Sequence, residues 1–141
     1  MRKPEYYTIS EFELIEYHVK KVTARRLAGL RMAASNGCKR KLFKLCVKEL
    51  CAQGVSKKAA MNILRDLEMH HIVPLSIGGG NSLDNLALVE KRLHRKIHWH
   101  LAHAMRDGIV LVPTHSGRIW IKFPRRPIDL RLNGEHFGCI P

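Results

Sequence analysis

The stretch that decides the fold is residues 68–98, EMHHIVPLSIGGGNSLDNLALVEKRLHRKIH. Five of the nine histidines of the chain lie between residues 70 and 100, a density that an even distribution along 141 residues would not produce. His70 and His71 are neighbours, and His94 and His98 are four residues apart on a predicted helix. Side chains four residues apart lie on the same face of a helix, so these two imidazoles can approach one point.

Secondary structure in this stretch follows from its residue types. The short β-branched segment 71–75 ends at a proline-leucine pair and predicts a strand, whereas the glycine-rich segment 77–82 predicts a loop. The apolar segment 86–89 predicts a second strand. A helix is predicted from residue 90 to about residue 105, because Leu93, Ile97 and Leu101 recur at helical spacing.

Four histidines in this arrangement favour a catalytic metal site. His94 and His98 offer two imidazoles, and one of His70 and His71 can supply a third. Three protein ligands leave a coordination position open for water or phosphate, as catalytic sites require. The remaining histidine can then act as a general base, since imidazole titrates near neutral pH. The alternative for the H-x3-H pair alone is a solvated polar helix face.

The order of these residues resembles the HNH endonuclease motif over about 31 of 141 residues. The shared features are a His-His pair, a glycine-rich loop, Asp-Asn before the second strand and His-x3-His on the helix. The resemblance implies that His71 is the general base and that His70, His94 and His98 are metal ligands. It also implies that Asn85 fixes the loop and the orientation of the base.

The metal is less well specified by the resemblance. The variant with Glu-x-His-His, found in colicin-type DNases, is the most similar. Glu68 would then support a ligand from outside the coordination shell, and the alternatives are that it caps a backbone group or stays solvated. Many HNH proteins carry Asp at the position of His70, which suits Mg²⁺. Three imidazoles instead favour Zn²⁺, Ni²⁺ or Mn²⁺, with Mg²⁺ possible. No small-molecule cofactor is implied.

The charge of the chain indicates a polyanionic partner. Twenty-five Lys and Arg oppose twelve Asp and Glu, giving a net charge of +13. We expect this partner to be DNA, double-stranded, bound through its phosphates. The alternatives are a cationic protein that binds anionic lipid and a basic surface that serves solubility alone. The candidate nucleic-acid-binding residues lie on the predicted second helix and on the histidine helix: Lys39, Arg40, Lys41, Arg92, Arg95 and Lys96.

The flanking regions predict an α+β fold. A helix is predicted from a capping box, Ser10 to Glu13, to about residue 35. A second helix covers about 39–53, and a third begins at the N-cap Ser56. After the histidine helix, segments 109–112 and 118–123 predict a β-hairpin. The tail from Pro124 is expected to be extended and to wrap the body of the protein, with Trp99 and Trp120 in the core.

The chain therefore divides into three parts. Residues 1–67 form a basic helical region that supports DNA contact, residues 68–105 the ββα-metal core, and residues 106–141 the hairpin and tail. No signal peptide or membrane span is evident, so we expect a cytoplasmic protein that does not bind a membrane. The four cysteines are then reduced thiols, and Cys46 and Cys51 are expected to be buried rather than bound to zinc.

These features predict a metal-dependent endonuclease that hydrolyses DNA by a one-metal mechanism. Two alternatives remain open at this level. One is a zinc-containing module that binds nucleic acid without cutting it, and the other is an RNase that uses the same site. The presence of His71 favours an enzyme, because a binding module needs no spare imidazole beside its ligands. Origin in a bacterium or a phage rests on analogy alone.

Overall fold

A computed structural model of the chain describes residues 12–116, 120–122, 130–132 and 135–137. Helices and strands alternate irregularly along the chain, as expected for an α+β protein. The elements in chain order are β1 (Phe12–His18), α1 (Ala24–Ala33), a π-helical turn (Ala34–Cys38), α2 (Lys39–Ala52), α3 (Lys57–Arg65), β2 (Leu67–His71), two 3₁₀ turns (Leu75–Ile77 and Leu83–Asn85), β3 (Leu86–Glu90), α4 (Lys91–His103), β4 (Ile109–Ser116), β5 (Trp120–Lys122), β6 (Leu130–Leu132) and β7 (Glu135–Phe137).

Strand β3 lies at the centre of the fold. It pairs antiparallel with β2 on one side and with β5 on the other. Its first four residues are all buried, because successive side chains point to opposite faces and both faces are covered. Leu86 and Leu88 belong to one apolar cluster, and Ala87 and Val89 belong to a second.

Two layers cover this strand. Helices α2 and α3 cover the face of Leu86 and Leu88 through a shared apolar stripe, which consists of Leu42, Cys46, Leu50, Ala60 and Leu64. Helix α4 and strand β4 cover the other face through Leu93, Ile97, Val110 and Val112. Burial raises the pKa of the Cys46 thiol to about 12, so this cysteine is a packing residue and not a thiolate ligand.

The local predictions for the central elements are confirmed. Strand β3 and helix α4 lie where the sequence predicts them, and Glu90 caps α4 by accepting from the backbone N–H groups of Arg92 and Leu93. The second and third predicted helices are α2 and α3, and Ser56 caps α3 through the backbone N–H of Ala59. Strong local signals therefore coincide with the observed elements here.

The prediction for the N-terminal segment is wrong. Residues 12–18 form strand β1 rather than helix, because they pair along their whole length with β4. Helix α1 begins only after Thr23, which caps it by accepting from the backbone N–H of Arg26. Ser10, the expected capping residue, lies outside the described residues. The strand is decided by a partner almost 100 residues away, which local periodicity does not reveal.

Two element boundaries and the burial of one cysteine also differ from the prediction. The expected break near Gly37 is instead a π-helical turn, so α1 and α2 form one continuous helix. The strand predicted over 71–75 lies earlier, and His71 ends β2 instead of opening a strand. Cys51 is exposed, not buried.

The predicted C-terminal hairpin is not observed. Segment 109–116 pairs with β1, and segment 120–122 pairs with β3, so the two join different sheets. In the tail, β6 and β7 pair with each other. The rest of the tail, its expected wrapping around the body and the side chain of Trp120 lie outside the described residues. The three-part division of the chain stays a prediction. None of the helices in the described ranges is long and apolar enough to cross a membrane.

Candidate active site

Strand β2 and helix α4 bring three histidines together. His70 lies on the buried face of β2 with 1% of its surface exposed, while His94 and His98 lie one turn apart on α4. The ring centroid of His70 is 5.0 Å from that of His94 and 5.8 Å from that of His98. Sequence placed these rings on separate elements, and antiparallel pairing of β2 with β3, followed directly by α4, closes the gap between them.

The donor atoms of these three rings suit a metal ion. One ring nitrogen of each histidine lies within 4.8 Å of the others, and no other group of this kind occurs among the residues that the structure describes. The Nε2 atoms of His94 and His98 are 2.8 Å apart. Nitrogen ligands at about 2.0–2.1 Å from a tetrahedral ion are about 3.3 Å from one another. This spacing lies between the 2.8 Å that separates the two Nε2 atoms and the 4.8 Å within which all three donors lie. Small rotations of the rings would therefore complete a three-nitrogen coordination set.

Loss of hydration, which is nearly complete for His70 and partial for His94 and His98, favours the neutral form of the three rings. Loss of hydration lowers the pKa of His70 well below its ordinary value, and the neighbouring His94, His98 and His71 lower it further. Burial also lowers the pKa of His94 and that of His98, although the carboxylate of Glu68 acts in the opposite direction on both. Neutral imidazole is the form that binds a cation, so the environment prepares these side chains for a ligand role.

Glu68 contacts the cluster from β2. Its Oε1 atom lies 3.4 Å from Nδ1 of His94, and its side chain is 43% exposed. Nδ1–H of His94 can donate to this carboxylate, which leaves Nε2 of the ring to face His98 and the centre of the cluster. The position of Glu68 thus agrees with the support that the sequence predicted for it.

His71 lies beside this cluster, at the wall of a cavity. It lines a cavity of about 830 Å³ together with His94 and His98. The ring is only half-buried, unlike that of its neighbour His70, since adjacent strand residues face opposite sides. An imidazole in this position can reach a water molecule in the cavity, whereas His70 is enclosed.

Asn85 holds the loop that follows His71. Its Oδ1 accepts from the backbone N–H of Val73 at 2.9 Å, and its Nδ2 donates to the carbonyl oxygens of Val73 and Gly80 at 3.0 and 2.8 Å. Gly79 lies so close to this junction that a Cβ atom there would overlap the carbonyl oxygen of Val73. The side chain of Asn85 therefore contacts backbone and not the ring of His71.

The ring of His71 contacts Asn81 instead. Its Nε2 lies 2.7 Å from Oδ1 of Asn81, and Nδ2 of Asn81 donates to the carbonyl oxygen of Leu30 in α1 at 2.9 Å. The sequence pattern did not predict this residue. Its position after three glycines was the available signal, but the link to Leu30 spans 51 residues and exists only in the folded chain.

The candidate nucleic-acid-binding residues lie in different places. Among the predicted cations only Lys39 lines the cavity, where it is joined by Arg31, which was not predicted. Both are exposed. Arg31 lies in α1, in the last turn before the π-helical turn, and Lys39 begins α2 directly after it. The remaining predicted cations lie elsewhere on α2 and α4, where most are exposed: Arg40, Lys41, Arg92, Arg95 and Lys96.

Comparison with known proteins identifies the class of this site. Strand, strand and helix around three imidazoles form a ββα-metal arrangement, and residues 49–99 match the family model described as HNH endonuclease. The matched segment runs from the end of α2 through α3, β2 and β3 into α4. No curated protein and no solved structure matched the chain.

Proposed function

We propose that this protein is a metal-dependent endonuclease that hydrolyses phosphodiester bonds in DNA. The observation that supports this most strongly is the convergence of His70, His94 and His98, with His71 on the wall of the same cavity. Members of the HNH family are generally nucleases, which agrees with this geometry. A divalent cation held by the three rings would stabilise the negative charge that develops on phosphate oxygens.

The side chains of the chain divide the remaining work. The imidazole of His71 accepts a proton from the attacking water, and the oxygen of that water forms a bond to phosphorus while the bond from phosphorus to the departing 3′ oxygen breaks. The departing oxygen takes a proton from solvent. Asn85 holds the loop of residues 73–80 through hydrogen bonds to Val73 and Gly80, and this supports the position of His71 at the cavity wall. Glu68 orients His94. A ring set of this composition favours Zn²⁺, Ni²⁺ or Mn²⁺, with Mg²⁺ a weaker candidate.

The substrate would lie in the cavity with its phosphates toward α1 and α2. Arg31 and Lys39 supply positive charge on that wall, and the net charge of +13 favours a polyanion over a neutral ligand. The cations Arg92, Arg95 and Lys96 extend the same charge along α4, and Arg40 and Lys41 extend it along α2. These contacts carry no sequence information, because they address phosphates rather than bases.

Plasmid relaxation tests this proposal directly. Protein stripped with EDTA should leave supercoiled plasmid intact, and adding Mn²⁺, Ni²⁺, Zn²⁺ or Mg²⁺ separately should restore cutting with at least one of them. A parallel assay on single-stranded RNA separates a DNase from an RNase. Absence of cleavage of either substrate with all four metals would contradict the proposal. Retained DNA binding in that case would favour the non-catalytic binding module.

A further inference from the structure

We infer that Asn81 is a positioning residue for the general base, and that it selects which ring nitrogen of His71 receives the proton. The inference rests on the proposed function, since it concerns the same site. It comes from a short chain of hydrogen bonds that runs from helix α1 through Asn81 to His71.

The orientation of the Asn81 amide is set by a group that can only accept. The carbonyl oxygen of Leu30 has no proton to give, so the amide nitrogen of Asn81 must face it, as the 2.9 Å contact shows. The amide oxygen then points away from Leu30 and toward His71. This removes the usual ambiguity between the two ends of an asparagine side chain.

The tautomer of His71 follows from that orientation. The oxygen of Asn81 can only accept, so the neutral ring of His71 must carry its proton on Nε2 to make the 2.7 Å contact. Nδ1 is then the nitrogen with a free lone pair. A general base needs that lone pair exposed to the water that it deprotonates, so Nδ1 is the atom that acts as base.

Helix α1 is the fixed point for this chain of contacts. Several carbonyls near its end accept from side chains: Leu30 from Asn81, Arg31 and Met32 from Ser35, and Ala33 from Cys38. Two of these donors, Ser35 and Cys38, belong to the π-helical turn. Single turns of this kind are common at functional sites. Asn81 thus ties the loop of the base to the helix that carries Arg31, so both walls of the cavity keep one relative position.

The tautomer can be read in the wild-type protein, with one variant used only to assign the signals. We would label the histidine rings of the full-length Zn²⁺-loaded protein with ¹⁵N, assign His71 by the loss of its signals in His71→Ala, and record ring ¹⁵N shifts at a pH where the ring is neutral. A protonated Nε2 with an unprotonated Nδ1 supports the inference. A protonated Nδ1 in the wild-type protein would overturn it.

Kinetics then separate positioning from folding. Asn81→Ala should lower kcat by about 10- to 100-fold while KM stays within about twofold and bound zinc is unchanged. Asn81→Asp keeps an acceptor for the Nε2 proton, so it should retain the tautomer and recover more of kcat than Asn81→Ala, although it loses the contact with Leu30. Ser82→Ala is the matched control, because the hydroxyl of Ser82 bonds only to Asp84 among the described contacts of that residue.

The outcomes distinguish this inference from the proposed function. Active wild-type protein with an unchanged kcat in Asn81→Ala overturns the role of Asn81 and leaves the endonuclease proposal standing. Wild-type protein that cleaves nothing contradicts the endonuclease proposal, and the wild-type tautomer still decides whether Asn81 orients the ring.

Discussion

Helix α4 and the continuous helix formed by α1, the π-helical turn and α2 line the same cavity, but they contribute different side chains. Helix α4 supplies His94 and His98, which form a cluster with His70. The other helix supplies Arg31, Ser35 and Lys39, which suit phosphate. The first wall is built from residues close together in sequence, whereas the second is joined to the site by the contact of Asn81 with Leu30. If the proposed function holds, variants of the two walls should affect catalysis and substrate binding differently.

The largest effect should come from removing the proposed general base, His71, at the end of β2. We expect His71→Ala to lower the rate of plasmid cleavage by about 10²- to 10⁴-fold, the usual contribution of a positioned general base. Metal content, measured by elemental analysis, should not change. His98→Ala should instead lower metal occupancy and cleavage together, because it removes a ligand.

The control for both variants is His18→Ala, since His18 is exposed at the end of β1. Wild-type cleavage by His71→Ala would remove this residue from the mechanism. Full metal occupancy in His98→Ala would remove it from the ligand set.

The next effect concerns the loop between the walls. Asn85→Ala removes three hydrogen bonds to the backbone of Val73 and Gly80. We expect a loss of about 2–3 kcal/mol in the free energy of unfolding, because the backbone groups lose their partners. Urea unfolding measures this. The control Asn62→Ala alters an exposed residue of α3 and should change stability by less than about 0.5 kcal/mol. Equal stability of the two variants would contradict a structural role for Asn85.

A smaller effect should come from the two cations that line the cavity from α1 and α2, Arg31 and Lys39. Arg31→Ala and Lys39→Ala should each raise KM by about three- to tenfold with little change in kcat, and each should reduce the salt dependence of DNA binding by about one unit in slope. Lys21→Ala removes an exposed charge that does not line the cavity and serves as the control. A fall in kcat at constant KM would instead place these cations with the chemistry.

The smallest effect is a pH dependence of the metal-free protein. The pKa of His70 is lowered by burial, and those of His94 and His98 are lowered mainly by burial as well. The unfolded chain then binds more protons than the folded one below about pH 6.5. Stability is therefore complete above that pH and is lost as the pH falls toward the lowered values. Tm measured in EDTA should decline on acidification, and His70→Gln should flatten that decline. An equal decline in this variant would assign it to other groups.

The sequence predicted the cluster of His70, His94 and His98 more fully than the elements around it. The H-x3-H spacing on an apolar-periodic segment fixes two rings on one helix face, and His70 lies where the motif expects it. By contrast, the local pattern at 12–18 predicted a helix, and the strand there depends on its pairing with β4. Periodicity reports the nearest turn of chain and is silent about partners far along it.

The same limit explains the two residues that the sequence did not single out. Arg31 is one of 25 basic residues, and only its position on the cavity wall distinguishes it. Asn81 lies four residues before Asn85, and no local rule says which of the two amides reaches the ring of His71. The fold decides this, since Asn85 is occupied by the backbone of its own loop.

Residue spacing by itself predicted a cluster of imidazoles, because histidines at fixed intervals on a strand end and a helix can converge through short-range geometry. Tertiary structure alone decided how the histidines differ. Pairing of β2 with β3 and the rings of His94 and His98 on α4 enclosed His70. The ring of His71 instead contacts Asn81, which is held by Leu30 of α1. Burial and hydrogen-bond partners depend on residues distant in the chain, and they give two adjacent and identical side chains different surroundings.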